Sequence, residues 1–325
     1  MMTLPTVSIV IPTFNREEVL VQTIHDLLAL KHKALEILIV DQTANHTASV
    51  TEELTVLNSR NHIRWLKVTP PSIPNAMNMG ALQARGEVVL FVDDDILTRS
   101  ELVLEHAKRY ALTTVNGVAG QVIQSWEKEL NASEGSYRNG KKRDPDAFMF
   151  NSALATSVRR FIGCNVSFRR QNLIAIGGFD NNFAKVAYRY EAESAERFVS
   201  HGYHLVFEPK ASLQHLKEAS GGTRSYGDHL TSIKPSHCVG MYYYFLVVKN
   251  QHHRWRRFFS APFNSFKTRF HLNKPWYIPI TFISHISGMM WAVCLRIKGQ
   301  KLLSDCDLSD TKKADHHTKQ RSKND

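Results

Sequence analysis

Short, uninterrupted apolar runs separated by stretches of helical spacing dominate the first half of the chain. Residues 7–11 form one such run, closed by Pro12, and between residues 17 and 30 Leu20, Ile24, Leu27 and Leu28 fall on one helical face. The pattern predicts a strand followed by a helix. Further β-rich runs lie at 35–40, ending at Asp41, at 63–68, and at 88–92, which stops at Asp93; helical spacing over 75–84 precedes the last. Runs that are apolar throughout mark strands covered on both faces. The expectation is an α/β fold with a mostly parallel sheet flanked by helices. Such sheets bind ligands at the carboxyl ends of their strands, so the polar residues after each run are the candidates for chemistry.

Beyond the fourth strand the pattern predicts a helix over 99–110, a strand over 163–169 leading into 173–176 and the turn Gly177-Gly178-Phe179-Asp180, a helix over 191–200, and a short strand at 205–207 ending at Pro209. Residues 125–150 are polar and contain Gly135, Gly140 and Pro145, which reads as a loop or mobile insertion. After His215 the character changes. Gly221-Gly222 breaks the chain, 241–248 is an aromatic-rich apolar run, 249–274 is basic, and 275–295 is a 21-residue stretch without Asp, Glu, Lys or Arg. The chain divides into an α/β unit over 1–224, an aromatic and basic helical extension over 225–300, and a polar tail over 301–325 of disordered composition.

With 325 residues, 43% of them hydrophobic, a mainly disordered chain is excluded. The net charge of +11 is unevenly placed: residues 249–325 hold 15 Lys and Arg against 5 Asp and Glu, leaving 26 against 25 before them. The surplus belongs to the C-terminal quarter, and no zinc-finger, RRM or basic-zipper pattern accompanies it, so nucleic acid is not the expected partner. Arg254, Arg256, Arg257, Lys267 and Arg269 interleave with Trp255, Phe258, Phe259 and Phe266, and lead into 275–295. That arrangement predicts peripheral contact with an anionic membrane surface in preference to spanning it; the alternative is helices packed on the α/β unit with a solvated basic face. Residues 2–12 lack a secretory pattern, and Cys164, Cys238, Cys294 and Cys306 are too sparse for a disulfide framework. The expected location is the cytoplasm, at the inner face of its membrane.

Asp93-Asp94-Asp95 is the sharpest local feature. Three carboxylates directly after a buried strand repel one another unless a cation is near, and a hard divalent ion, Mg2+ or Mn2+, is the natural neutraliser. Asp is also a good helix cap, which would make the run structural. Asp41 and the loop Pro12-Thr13-Phe14-Asn15-Arg16 also end strands and offer polar groups to the same crevice.

Taken together, VSIVIPTFNR, ILIVDQT, GALQARGEVVLFVDDD, GCNVSFRR followed by IGGFD, and HGYHLVFEPKASLQH resemble the inverting glycosyltransferases of family 2, which have the GT-A fold. The resemblance covers about residues 6 to 224. It implies metal-dependent transfer of a sugar from a nucleotide diphosphate sugar to a saccharide or lipid-linked acceptor, as in polysaccharide assembly. It places Pro12, Thr13, Asn15, Arg16, Asp41, Asp93 and Asp94 around the nucleotide sugar, Asp95 and His215 on the metal, and Gly163, Asn165, Gly178 and Asp180 on the acceptor side. Where the family has a Glu-Asp pair this chain reads Tyr190-Glu191-Ala192-Glu193, which leaves Glu191 or Glu193 as the catalytic base, Glu191 being preferred. Two other readings stay open on the sequence: a nucleotidyltransferase, although no Gly-rich phosphate loop follows the first strand, and a non-catalytic nucleotide-sugar or glycan-binding module, suggested by Ala192.

Overall fold

The structure, a computed structural model, describes residues 3–127, 129, 137–138, 141–142, 148–183, 185–249, 251 and 253–304. Most of the expected insertion at 125–150 and of the tail at 301–325 lies outside the described residues.

The chain opens as the periodicity requires, with β1 (Val7–Thr13), α1 (Glu18–Leu28), β2 (Glu36–Asp41), α2 (Ala48–Ser59), β3 (Arg64–Lys67), α3 (Ile73–Gln83) and β4 (Val88–Val92). These four strands are parallel neighbours in the order β3-β2-β1-β4. Next come β5 (Ile96–Thr98), α4 (Leu102–Arg109), β6 (Gly117–Gln124) and a small hairpin of β7 (Tyr137–Arg138) and β8 (Lys141–Lys142). They are followed by β9 (Thr156–Ser157), β10 (Asn165–Arg169), α5 (Arg170–Ala175), α6 (Tyr190–Ser200) and β11 (Leu205–His215). The sheet continues β4-β10-β6-β11-β5, with β9 on β11. It is mixed: β10 runs antiparallel to both β4 and β6, and β11 runs parallel to β6.

Alternate residues of the central strands feed two cores, as a sheet covered on both faces demands. Ile9, Ile11, Leu90 and Val92 pack with α1, α2 and α4, whereas Val10, Phe91 and Phe168 pack with α3, α5 and α6. The expected strand at 205–207 proves longer. It runs through Pro209 because the register with β6 shifts between Glu208 and Ser212, and a bulge takes up the residue that cannot donate to the ladder.

Four further helices follow: α7 (Val239–Val247), α8 (Arg254–Ser265), α9 (Arg269–Asn273) and α10 (Ile278–Lys298). They share a third core with the α/β unit, in which Phe183, Ala187 and Ala192 join Tyr242, Tyr243, Phe258 and Ala292. The inward face of α10 is small and polar, with Thr281, Ser284, Gly288 and Ala292 buried. Met289, Trp291 and Leu295 pack against the third core, whereas other large apolar residues face out: Met290 is 66% and Ile297 81% exposed.

Candidate active site

The parallel strands deliver their carboxyl ends side by side. Thr13 closes β1 beside Asp41 on β2, and Asp93 follows β4 directly. The loop after β1 is tied to the acidic run: Thr13 Oγ1 donates to Asp94 Oδ2 at 2.6 Å, and the Arg16 guanidinium lies 3.3 Å from Asp94 and 3.4 Å from Asp95. The segment after β11 closes the other side, with Glu218 N donating to Asp95 Oδ2 at 2.8 Å and Arg16 Nη1 donating to the Ser220 carbonyl.

These elements surround a cleft of ≈ 320 Å³ whose walls include Pro12, Thr13, Arg16, the three aspartates, Gly163, Glu191 and His215. Nine of the expected site residues therefore share one cavity. His215 Nε2 sits 3.2 Å from Asp95 Oδ1 and 3.6 Å from Asp93 Oδ2, and His215 Nδ1 bonds Gln124 Oε1 at 3.0 Å. The ligand atoms of Asp93, Asp95 and His215 lie within 4.8 Å of one another. Two carboxylates and an imidazole oriented by a second partner make a hard donor set that suits a divalent ion and leaves positions for phosphate oxygens. The residues present fit the metal that the acidic run calls for.

Electrostatics agree with that reading. Burial, reinforced by Asp95, pushes the Asp93 carboxyl up to about 6 although 41% of its side chain remains open to the cleft, and burial pushes Asp94 up to about 7 against the opposing pull of Arg16. Burial would raise Asp95 too, yet the His215 bond and charge, the Glu218 N–H and Arg16 together bring it below the usual range. His215 is raised by its two aspartates in spite of its own burial.

Glu191 stands in the first turn of α6, and its Oε1 accepts from Gly163 N at 2.5 Å. A Cβ on Gly163 would lie 2.2 Å from Tyr190 Oη and 3.1 Å from Glu191 Oε1, so a larger residue there would displace the Tyr190 and Glu191 side chains. Burial, with the Asp93 charge adding to it, raises the Glu191 carboxyl to about 7 against the Gly163 bond and Arg189. This places a group that exchanges protons near neutrality opposite the acidic metal set.

Six expected residues lie elsewhere. Successive helical residues are turned about 100° apart, so Glu193 points nearly opposite to Glu191; it pairs with Arg197 at 2.8 Å and accepts from Gln300 at 3.0 Å. Glu193 is therefore corrected from candidate base to structural anion. Asp41 is fully buried and its carboxylate is taken by Trp65, His46, Lys67 and the Thr43 N–H, which together hold it below the usual range against the burial that would raise it. It does not line the cleft; its neighbour Gln42 does. Asn15 is exposed, with φ 52°, and bonds Thr43 and Ser225. Asn165 is buried in the sheet, donating to Gln121 O and Ala211 O. Asp180 accepts from Tyr243 Oη, Gln300 and the Lys301 N–H, and Gly178 O accepts from Arg197. Asp180 thus holds the C-terminal segment and Gly178 holds α6, and neither lines the cleft.

The cleft also holds residues the sequence did not single out. Phe14 and Tyr226 stack with centroids 6.1 Å apart, and Lys185, Arg189 and Arg224 add positive charge. Gln42 was findable as the residue after a strand; Arg189 and Tyr226 arrive by tertiary folding and carry no local signal.

The fold has solved counterparts. GalNAc-T7, determined with UDP, GalNAc and Mn2+, superposes with a TM-score of 0.62 at 13% identity, covering 89% of this chain and 54% of that one. The mannosyltransferase PcManGT from Pyrobaculum calidifontis, in complex with GDP-Man and Mn2+, gives 0.54 at 17% identity over 92% of this chain and 80% of that one. S. aureus TarS 1-349 gives 0.55 at 12% identity over 87% and 81%. At such identities the likeness concerns the fold, which is the GT-A arrangement. In sequence, 91 residues are 31% identical to an uncharacterized glycosyltransferase of Rickettsia felis, a match spanning 28% of this chain and 15% of that protein. The glycosyl transferase family 2 model matches residues 8–177, more than half of the chain, and the chain belongs to that family.

Proposed function

We propose that the protein transfers a sugar from a nucleotide diphosphate sugar to an acceptor hydroxyl with inversion at the anomeric carbon, Glu191 acting as the base. The observation that carries this is the placement of Glu191 in the same cleft as Asp93, Asp95 and His215. Asp95, His215 and Asp93 would hold Mg2+ or Mn2+, whose charge stabilises the departing diphosphate. Arg16 and the Pro12–Thr13 backbone border the diphosphate space, while Phe14 and Tyr226 offer flat surfaces to the nucleoside. Glu191, kept near 7, takes the acceptor proton as the hydroxyl oxygen attacks, and the Gly163 N–H fixes the carboxylate for that task.

The binding half is tested by a thermal-shift screen of nucleoside diphosphates with and without Mn2+. At least one diphosphate should raise the melting temperature in the presence of Mn2+ only, and Asp95→Asn should remove the effect. A metal-independent shift, or one that survives Asp95→Asn, refutes the assignment. Inversion is read separately, from the anomeric configuration of the product by NMR.

The outward face of the C-terminal helices supports peripheral docking on an anionic cytoplasmic membrane leaflet. The segment Pro275–Lys298 has a mean hydropathy of 1.6 with 22% of its apolar window buried, enough length and apolarity to cross a bilayer. Its inner face is committed to α7, so the reading that fits is a helix lying in the interface. Arg254, Arg256, Arg257 and Lys274 beside Trp255, Phe259 and Trp276 supply the charge that complements anionic headgroups.

A further inference from the structure

A second cavity, of ≈ 460 Å³, lies against the cleft and shares Val186 and Tyr188 with it. Its remaining walls come from the 229–238 segment, from α7 and α10, and from the junction of α8 and α9 at Ser265 and Thr268. In contrast to the cleft, it is lined by no Asp, Glu, Lys or Arg. Leu230, Met241 and Val186 give it apolar surface, and its polar groups are hydroxyls and imidazoles. Tyr242 Oη bonds His285 Nδ1 at 2.7 Å, and burial lowers His285 to about 4. The ring is therefore neutral, and Nε2 is its second polar atom, a donor or an acceptor according to which of Tyr242 Oη and Nδ1 carries the shared proton.

The wall between cleft and cavity is held in an unusual backbone. Lys185, Ala187 and Arg189 all have positive φ, of 60°, 53° and 75°. Such residues persist where their surroundings over-determine them, and they gather at functional sites. Here Ala187 is buried in the third core, and the Tyr188 carbonyl comes so close to α7 that a Cβ on Gly240 would lie 2.2 Å from it. The chain thus fixes a partition between the Glu191 pocket and a chamber walled by apolar, hydroxyl and imidazole groups. Nearby on α8, on α9 and just before α10, Phe263, Leu272 and Trp276 are 54%, 81% and 64% exposed.

We propose that this cavity is the acceptor subsite and takes an uncharged sugar ring carried on a hydrocarbon aglycone, the reacting hydroxyl reaching Glu191 past Val186 and Tyr188. Resting on the transferase reading above, this names the acceptor class for the same reaction. A ring with apolar faces and a hydroxyl rim matches the Tyr188 ring, the methionine and leucine surface and the hydroxyl and imidazole groups of the wall, which holds no basic Lys or Arg to pair with an acidic sugar. The exposed apolar side chains give the aglycone a continuation toward the interface.

The test uses the full chain and n-octyl β-D-glucopyranoside below its micellar concentration, with methyl β-D-glucopyranoside as the control, followed by calorimetry. Octyl glucoside should bind saturably and at least tenfold more tightly than the methyl glycoside. Leu230→Trp, which fills the chamber from a surface segment, and His285→Phe, which removes the imidazole hydrogen-bonding group, should each weaken it at least fivefold while leaving Mn2+-dependent diphosphate binding within twofold of the parent. Octyl glucoside binding that is unchanged in Leu230→Trp places the probe on the outer helix face and overturns the proposal, as does the absence of saturable binding. Failure of the transferase reading is distinguishable, because it shows as a parent protein that binds no diphosphate with Mn2+, whatever the glycosides do.

Discussion

Replacing Glu191 by Gln should make the protein more stable and inactive at once. Its carboxyl is held at about 7 against an ordinary 4.5, chiefly by burial and then by the Asp93 charge. At about 1.4 kcal/mol per pH unit the folded protein at pH 8 bears roughly 3 kcal/mol for keeping this group ionised, which water in the open cleft trims to about 2 to 3. A group whose folded pKa is raised destabilises above that pKa and ceases to do so below its unfolded value, so the burden is complete at pH 8 and falls to about 1 kcal/mol or less at pH 5. Gln keeps the shape and an oxygen for the Gly163 N–H but carries no charge. In EDTA at pH 8, Glu191→Gln should melt about 3 to 4 °C above the parent for a chain of this length, with a gap of about 1 °C or less at pH 5. Transfer should fall by about 10² to 10⁴. Two outcomes refute the reasoning: a stability gain that is the same at both pH values, which would mean that Glu191 is not the titrating group, or near-parental transfer, which would mean that another group accepts the proton. For the parent, kcat/KM without this substitution should decline as pH drops through about 7, because the protonated form is idle.

The remaining expectations contrast with that one. Glu193→Gln should leave the turnover of folded protein within about twofold but cost about 3 kcal/mol by stranding Arg197 in its buried pair, as measured by urea denaturation; a catalytic defect without instability would restore Glu193 to the site. The triple change Met290→Asp, Val293→Asp, Ile297→Asp should leave the melting temperature within about 2 °C, since all three side chains are exposed, and should abolish co-sedimentation with vesicles containing phosphatidylglycerol at low salt. Retained sedimentation removes the outer face of α10 as the docking surface.

The legible part of the fold is the part whose burial writes itself into local pattern. Residues 88–92 are apolar throughout because β4 sits between β1 and β10 and meets a core on each face. The acidic run after it was readable because three adjacent carboxylates have few purposes. β6 was missed because Gly117 and Gly120 read as breakers, yet a Cβ on Gly120 would stand 2.4 Å from the Ala211 carbonyl, so the strand needs the glycine that hides it. Asp41 enters the expected site as an acid that ends a strand, and Asp180 only through the family resemblance of the turn that holds it. Sequence reports that an acid is available at such a place, but not that distant donors, Trp65 and His46 for one and Tyr243 and Lys301 for the other, have already claimed it. Glu191 and Glu193 differ in which side of α6 they occupy: Glu191 meets Gly163 and lines the cleft, and Glu193 pairs with Arg197.

The way the chain returns after α10 constrains how the protein can be cut. Lys301 and Leu303 bond back to Asp180 and Gly177, and Gln300 reaches both Asp180 and Glu193. A truncation before residue 239, intended to yield a minimal soluble catalyst, would strip Tyr243, Gln300 and Lys301 from two buried carboxylates and open the core around Ala187 and Ala192, one residue from the proposed base. The helices that face outward are thus a keystone for the turn and helix that carry Glu191. A design that makes the outer surface of α10 polar while leaving its length intact keeps these contacts in place.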